Sequence, residues 1–164
     1  MIEKHYSIHD LVRFKVLAKH ISSRMEIEYK NFEVWEATDP DFTVYLGEFI
    51  PSNEGCIIIN KTYFIKEDYF YCKESYKFGT WKVEIAGFNM NNTIVKISVN
   101  WMGNYLADMF ICAFIIDFLI RFKLETKGYS VVHASAVSRD GYAYLFPSHS
   151  GAGKTTTALY FAEI

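Results

Sequence analysis

Asp140-Gly141-Tyr142-Ala143-Tyr144-Leu145-Phe146-Pro147-Ser148-His149-Ser150-Gly151-Ala152-Gly153-Lys154-Thr155 runs a turn, an aromatic strand, a glycine-bearing loop and a helix start into one another. Its second half has the form of a phosphate-binding loop. Glycines remove Cβ atoms, so successive backbone N–H groups can turn inward around a phosphate, and the helix that follows adds the positive end of its dipole. Lys154 supplies a mobile positive charge for the β and γ phosphates, and the Thr155 hydroxyl is the expected magnesium ligand. Ser148, His149, Ser150, Gly151, Ala152, Gly153, Lys154, Thr155 and Thr156 are therefore the candidate cofactor-binding residues, for ATP with Mg2+. The usual pattern begins with glycine, and Ser148 stands in that place. His149 occupies a variable position and is read as incidental. The competing reading is a Gly/Ser-rich turn before a helix, with a solvated lysine.

Outward from the loop, Tyr129-Ser130-Val131-Val132-His133-Ala134-Ser135-Ala136-Val137-Ser138 reads as a strand, and Asp140-Gly141 as a two-residue hairpin turn. With those two residues as the loop, Arg139 pairs with Tyr142. Counting back in step places His133 opposite Ser148, with Cα atoms roughly 5 Å apart. A lone histidine on an apolar strand is commonly a satisfied core residue, but this register makes His133 the candidate catalytic residue near the phosphates. His5, His9 and His20 are too scattered to propose as ligands.

Residues 103–128 form the next segment, with a helix expected from Asn104 to about Lys123 and Trp101-Met102-Gly103-Asn104 leading into it. Met109-Phe110-Ile111-Cys112-Ala113-Phe114-Ile115-Ile116 is apolar on every side, so cover is expected on most of its circumference. Asp108 and Asp117 bound only eight uninterrupted residues, well short of the roughly 20 that span a bilayer. Asp117 and Arg121 share a face as an exposed pair, and Gly128 ends the helix.

Residues 1–102 read as short strands between turns. Val12, Phe14 and Val16, then Phe42, Val44 and Leu46, then Trp81, Val83 and Ile85 each alternate with polar or exposed neighbours, giving one buried face apiece. Val95, Ile97, Val99 and Trp101 alternate likewise, and the loop 88–92 makes the last two strands an antiparallel hairpin. Further strands are expected around Cys56–Ile59, Tyr63–Ile65 and Tyr69–Cys72. The aromatics are read as core rather than as stacking platforms for bases or sugars. The fold class is α+β: a mostly antiparallel β-rich region (1–102), one long buried helix packed on the sheet (103–128), then a hairpin leading into the loop and the start of a helix (129–164).

The chain has 164 residues, about half of them hydrophobic, which suffices for a real core. A net charge of −2 gives no electrostatic reason to expect nucleic acid or an anionic membrane as partner. Cys56, Cys72 and Cys112 form no CxxC pair, which fits reduced thiols in a cytoplasmic protein. No apolar run follows Met1-Ile2-Glu3-Lys4-His5, so no signal peptide is expected.

The string His133-Ala134-Ser135-Ala136-Val137, then Asp140-Gly141, then Ser150-Gly151-Ala152-Gly153-Lys154-Thr155 resembles the start of the HPr serine kinase catalytic domain and its HPr-kinase-like relatives. The resemblance spans about Tyr129 to Ile164. In that family the phosphate loop follows an antiparallel hairpin, an arrangement shared with ATP-dependent phosphoenolpyruvate carboxykinases. The resemblance implies that His133 lies near the transferred phosphate, that Lys154 is the phosphate lysine and that Thr155 binds magnesium. It implies transfer of the ATP γ-phosphate to a serine hydroxyl on a protein or small molecule. The family's catalytic aspartate follows the first helix, whereas this sequence stops at Ile164 with Glu163 as its one carboxylate past the loop. An inactive fragment or a degenerate remnant is expected. The alternative is a non-catalytic β-rich peptide-binding or regulatory module with a vestigial loop, and a carboxykinase is a third reading.

Overall fold

The computed structural model of the chain describes residues 1–21, 23–77, 79–101, 107, 109–149 and 151–163. It is mixed α+β and divides into two compact units, Met1–Lys127 and Gly128–Ile164. The expected lead-in 102–104, Asp108 and Ser150 lie outside the described residues.

The first unit is built on one nine-stranded sheet. Its strands are β1 (Ile2–Ile8), β2 (Val12–Ala18), β3 (Glu33–Val34), β4 (Phe42–Leu46), β5 (Ile57–Ile59), β6 (Tyr63–Lys66), β7 (Tyr69–Tyr76), β8 (Gly79–Ala86) and β9 (Thr93–Trp101). Across the sheet they run β3-β1-β2-β4-β9-β8-β7-β6-β5. The pairings are antiparallel except at the centre, where β4 lies parallel to both β2 and β9. The predicted hairpin between the last two long strands is present as β8–β9, from Ala86 opposite Ile94 to Gly79 opposite Trp101. Three edge-side strands, β5, β6 and β7, occur where aromatic and β-branched residues cluster. The N-terminal strand β1 and the short helix α1 (Ser23–Tyr29) were not among the sequence expectations.

Along β2 the period-two pattern is complete: Val12, Phe14, Val16 and Ala18 are buried and the residues between them are half-buried. Phe14 stacks on Tyr6 at 4.8 Å and on Phe42 at 4.7 Å between ring centroids, so three adjacent strands share one aromatic column. Tyr29 of α1 closes on both Tyr6 and Phe14 edge-on. Burial pushes the Tyr6 phenol up to about 12.

Against the same face pack a π-helical stretch, Phe110–Ile116, and the α-helix that continues it, α2 (Asp117–Thr126). Cys112, Ile116, Leu119, Ile120 and Leu124 face the core. Phe114 is 61% and Phe118 46% exposed, so cover is supplied on one side only, contrary to the expectation from the all-apolar sequence. The physical reason is that a single sheet presents a single face to the segment. Gly128 takes a φ of +81° just past α2, the left-handed conformation that ends helices and suits glycine. Asp117 and Arg121 pair at 2.7 Å on the exposed side.

The opposite face of the central strands is covered too, which the alternation did not predict. Thr43, Glu84 and Ser98 point away from the helices and are buried nonetheless. Thr43 donates to Asn92 at 3.0 Å, and residues 47–56 reach the other two: Glu84 accepts hydrogen bonds from the Ser52 amide at 2.7 Å and from the Tyr69 hydroxyl at 2.8 Å, and pairs with Lys96 at 2.7 Å. Beside this cluster Glu48 accepts from Lys82 and from Ser98, both at 2.5 Å. Among the described residues no helix is long and apolar enough to cross a membrane.

In the second unit, β10 (Ala134–Arg139) and β11 (Tyr142–Pro147) form an antiparallel hairpin, and α3 (Lys154–Glu163) packs on it. Ala158 is buried, and the Phe161 ring lies 4.8 Å from Tyr144 and 5.7 Å from Phe146. The Asp140-Gly141 turn sets the register by putting both residues at positive φ, 52° and 79°.

Candidate functional site

The hairpin delivers the chain to the loop in the expected register, with Arg139 opposite Tyr142 and Ala134 opposite Pro147. There the ladder stops. Proline has no N–H to donate, and beyond it the chain turns into the loop, so 129–133 has no strand to pair with among the described residues. The strand expected from Tyr129 thus begins five residues later, at Ala134. His133 sits one step beyond the last pair, exposed, and makes no hydrogen bond among the described residues. Its neighbours Val131 and Val132 are also exposed.

Gly151 and Gly153 adopt φ values of +80° and +76°. A Cβ at either would meet no atom within 4 Å, so the glycines are required by backbone conformation rather than by crowding. The Ala152 amide closes a turn onto the His149 carbonyl at 3.3 Å. Helix α3 opens at Lys154, and its first bonded amide is that of Thr157, which donates to the Gly153 carbonyl at 2.9 Å. Among the described residues the amides of Lys154, Thr155 and Thr156 have no backbone acceptor, as at any helix start. Thr157 also reaches the Gly153 carbonyl with its hydroxyl, at 3.1 Å. Thr155 and Thr156 are exposed at this helix start.

The Lys154 ammonium donates to the carbonyls of Ser148 and His149, each at 2.9 Å. Two of the three ammonium donors therefore go to the loop. Ser148 and His149 enter this arrangement through their backbones, so serine in place of the usual glycine takes part through its carbonyl. The third donor is left for an anionic oxygen, and exchanging either carbonyl contact for a phosphate oxygen would strengthen that bond, because both partners are then charged. The donors present, two left-handed glycines, three helix-start amides, a lysine and the Thr155 hydroxyl, fit a magnesium-bound polyphosphate chemically.

Among the described residues no cluster of three or more His, Cys, Asp or Glu is arranged to hold a metal ion. The unit's carboxylates are Asp140, at the opposite end of the β10–β11 ladder, and Glu163, at the end of α3 away from the loop. His5 has a structural part, accepting the Ala37 amide at Nδ1 at 3.2 Å. The three cysteines form no disulfide, and burial pushes the Cys72 thiol up to about 11. Comparison of the chain with models of protein families, with curated proteins and with solved structures gives no match.

Proposed function

We propose that the Gly128–Ile164 unit is a nucleotide-phosphate site of the HPr-kinase type, taking ATP with magnesium. One observation carries this reading: Lys154 opens a ten-residue helix directly after two glycines in the left-handed conformation, at the end of an antiparallel hairpin. Lys154 and the helix-start amides would hold the phosphates, Thr155 would supply a hydroxyl to the metal, and His133 would stand near the terminal phosphate. Magnesium would contribute charge neutralisation between the phosphate oxygens. A longer form with a carboxylate beside the loop would transfer the γ-phosphate to a serine hydroxyl of a protein or small molecule, in the cytoplasm. The residues present favour binding without transfer, since neither Asp140 nor Glu163 stands at the loop.

A second reading is favoured by the two bonds that tie Lys154 to its own loop. On that reading the loop is a relic, and the β-rich unit acts as a peptide-binding or regulatory module. Thermal unfolding with and without Mg-ATP separates the two. Ligand at about 100 times its dissociation constant adds roughly 2.7 kcal/mol. A shift that Lys154→Ala abolishes supports the nucleotide site. No shift, or one that survives Lys154→Ala, leaves the second reading.

A further inference from the structure

The nine-stranded sheet of the first unit ends in β3 on one side and in β5 on the other. The β3 side is short and charged: β3 is Glu33–Val34, and Glu33 pairs with Lys4 of β1 at 2.5 Å. Charge on an outer strand discourages further pairing. The β5 side carries no such guard. Its three residues are Ile57, Ile58 and Ile59, which are 71%, 58% and 44% exposed.

Backbone geometry decides which groups face outward. The Ile59 carbonyl turns toward β6, where it accepts the Thr62 amide at 3.1 Å, and Ile59 lies opposite Tyr63. In antiparallel strands alternate residues direct their N–H and C=O to opposite sides, so Ile58 presents both groups to the open side. Side chains alternate between the faces: Ile57 and Ile59 share one with their partners Ile65 and Tyr63, and Ile58 shares the other with Phe64. Both faces of this edge are therefore apolar. A strand added here needs apolar residues on both faces and free backbone groups at its centre.

β5 itself meets both conditions. A second β5 laid antiparallel, about a two-fold axis at Ile58, exchanges two backbone hydrogen bonds between the Ile58 residues and sets each Ile57 against Ile59 of the other copy. Charge favours the same direction. The strand is entered from Glu54-Gly55 and left at Asn60-Lys61, and the side chains of Glu54 and Lys61 are exposed and make no ion pair or hydrogen bond among the described residues. Antiparallel pairing brings the Lys61 end of each copy to the Glu54 end of the other, whereas parallel pairing sets like charges together.

We propose that β5 is a self-association edge, through which two copies of the chain join antiparallel into one continuous sheet. The contact is isologous and closes at two copies. Three residues a side bury less than the ~1,200–2,000 Å² of a stable interface, so the dimer is a weak one that forms at high chain concentration. This edge is independent of how the phosphate loop is read.

The test is sedimentation velocity on the full chain from about 10 μM to about 1 mM. A reversible monomer–dimer equilibrium is expected, with no larger species. Ile58→Lys changes an exposed position, so thermal unfolding of the dilute chain should stay as it is while association weakens at least ~10-fold. Oxidation in a Cys56→Ser background reads the register. Ile58→Cys should cross-link into a dimer, since its Cα atoms lie roughly 5.5 Å apart, and Ile57→Cys, which faces Ile59 of the other copy, should not. The proposal is overturned if the chain stays monomeric throughout, if association is open-ended or survives Ile58→Lys, or if Ile57→Cys cross-links as readily as Ile58→Cys. A monomer whose β5 amides shift on addition of an apolar extended peptide overturns it too, and makes the edge a peptide site.

Discussion

The Ser52 amide donates to the buried Glu84 carboxylate at 2.7 Å, and that bond fastens the 47–56 loop to the face of the sheet turned away from the helices. Glu84→Ala would leave the Ser52 amide and the Tyr69 hydroxyl without their acceptor and Lys96 without its partner. Unsatisfied buried groups cost about 1–3 kcal/mol each, eased where solvent can enter, so a loss of roughly 2–4 kcal/mol is expected in urea unfolding. Glu84→Gln, which keeps one acceptor oxygen, should lose less.

Acid should act through the same residue. Burial raises the Glu84 carboxyl, but the bonds from Lys96, the Ser52 amide and Tyr69 outweigh it and hold it below the ordinary glutamate value of 4.5. A carboxylate lowered by folding stabilises fully above its unfolded value, and that stability is lost as pH falls through the folded one. Stability curves taken downward from pH 5 should therefore fall less steeply for Glu84→Gln than for the parent. Equal slopes would remove Glu84 from the account.

Lys123 is 4% exposed, yet its ammonium caps the carbonyls of Phe88 and Met90 at 3.0 and 2.9 Å, joining α2 to the β8–β9 turn. Burial lowers its pKa. Lys123→Met keeps the apolar stem and removes both bonds. About 1–2 kcal/mol of destabilisation is expected, with faster hydrogen exchange at 87–92 as the local sign.

Phe161 is the side chain through which α3 grips Tyr144 and Phe146. Phe161→Ala should cost about 2 kcal/mol, less than a fully buried phenylalanine because the ring is half-exposed. Protection of the α3 amides against exchange should fall, and the Mg-ATP shift should shrink with it even though Lys154 is intact.

Lys154→Ala, by contrast, should alter stability without ligand by less than about 1 kcal/mol, because its two loop bonds are exposed. Urea curves in the absence of nucleotide check this. A large loss would mean that the lysine is a structural tie.

How legible these features were depended on the range of the interaction. Asp140-Gly141 announced its hairpin and register because both turn residues take positive φ locally. Val12 to Val16 announced a strand because alternation is a property of the strand itself. Glu84 looked like one more solvent-facing charge, since what buries it, residues 47–56, is remote in sequence. Lys123 was hidden for the same reason. The glycine–lysine loop was readable as a motif, but the capture of Lys154 by the Ser148 and His149 carbonyls was not, and neither was the end of the ladder at Pro147.

The parallel placement of β4 between β2 and β9 also bears on how the chain folds. Between Leu46 and Thr93 lie four strands, β5 to β8, that pair neighbour with neighbour through short turns and can form early. β4 has no hairpin partner; it can join β2 across the connection 19–41, but its other edge must wait for β9, on the far side of that meander. Closing so long a loop makes the pairing of β4 with β9 the natural bottleneck, on the millisecond-to-second scale of non-local sheets. Until it docks, Phe42 and Val44, later wholly buried, stay open to solvent and to other chains. The central strand is thus also the point at which a nascent chain is most exposed to misassembly.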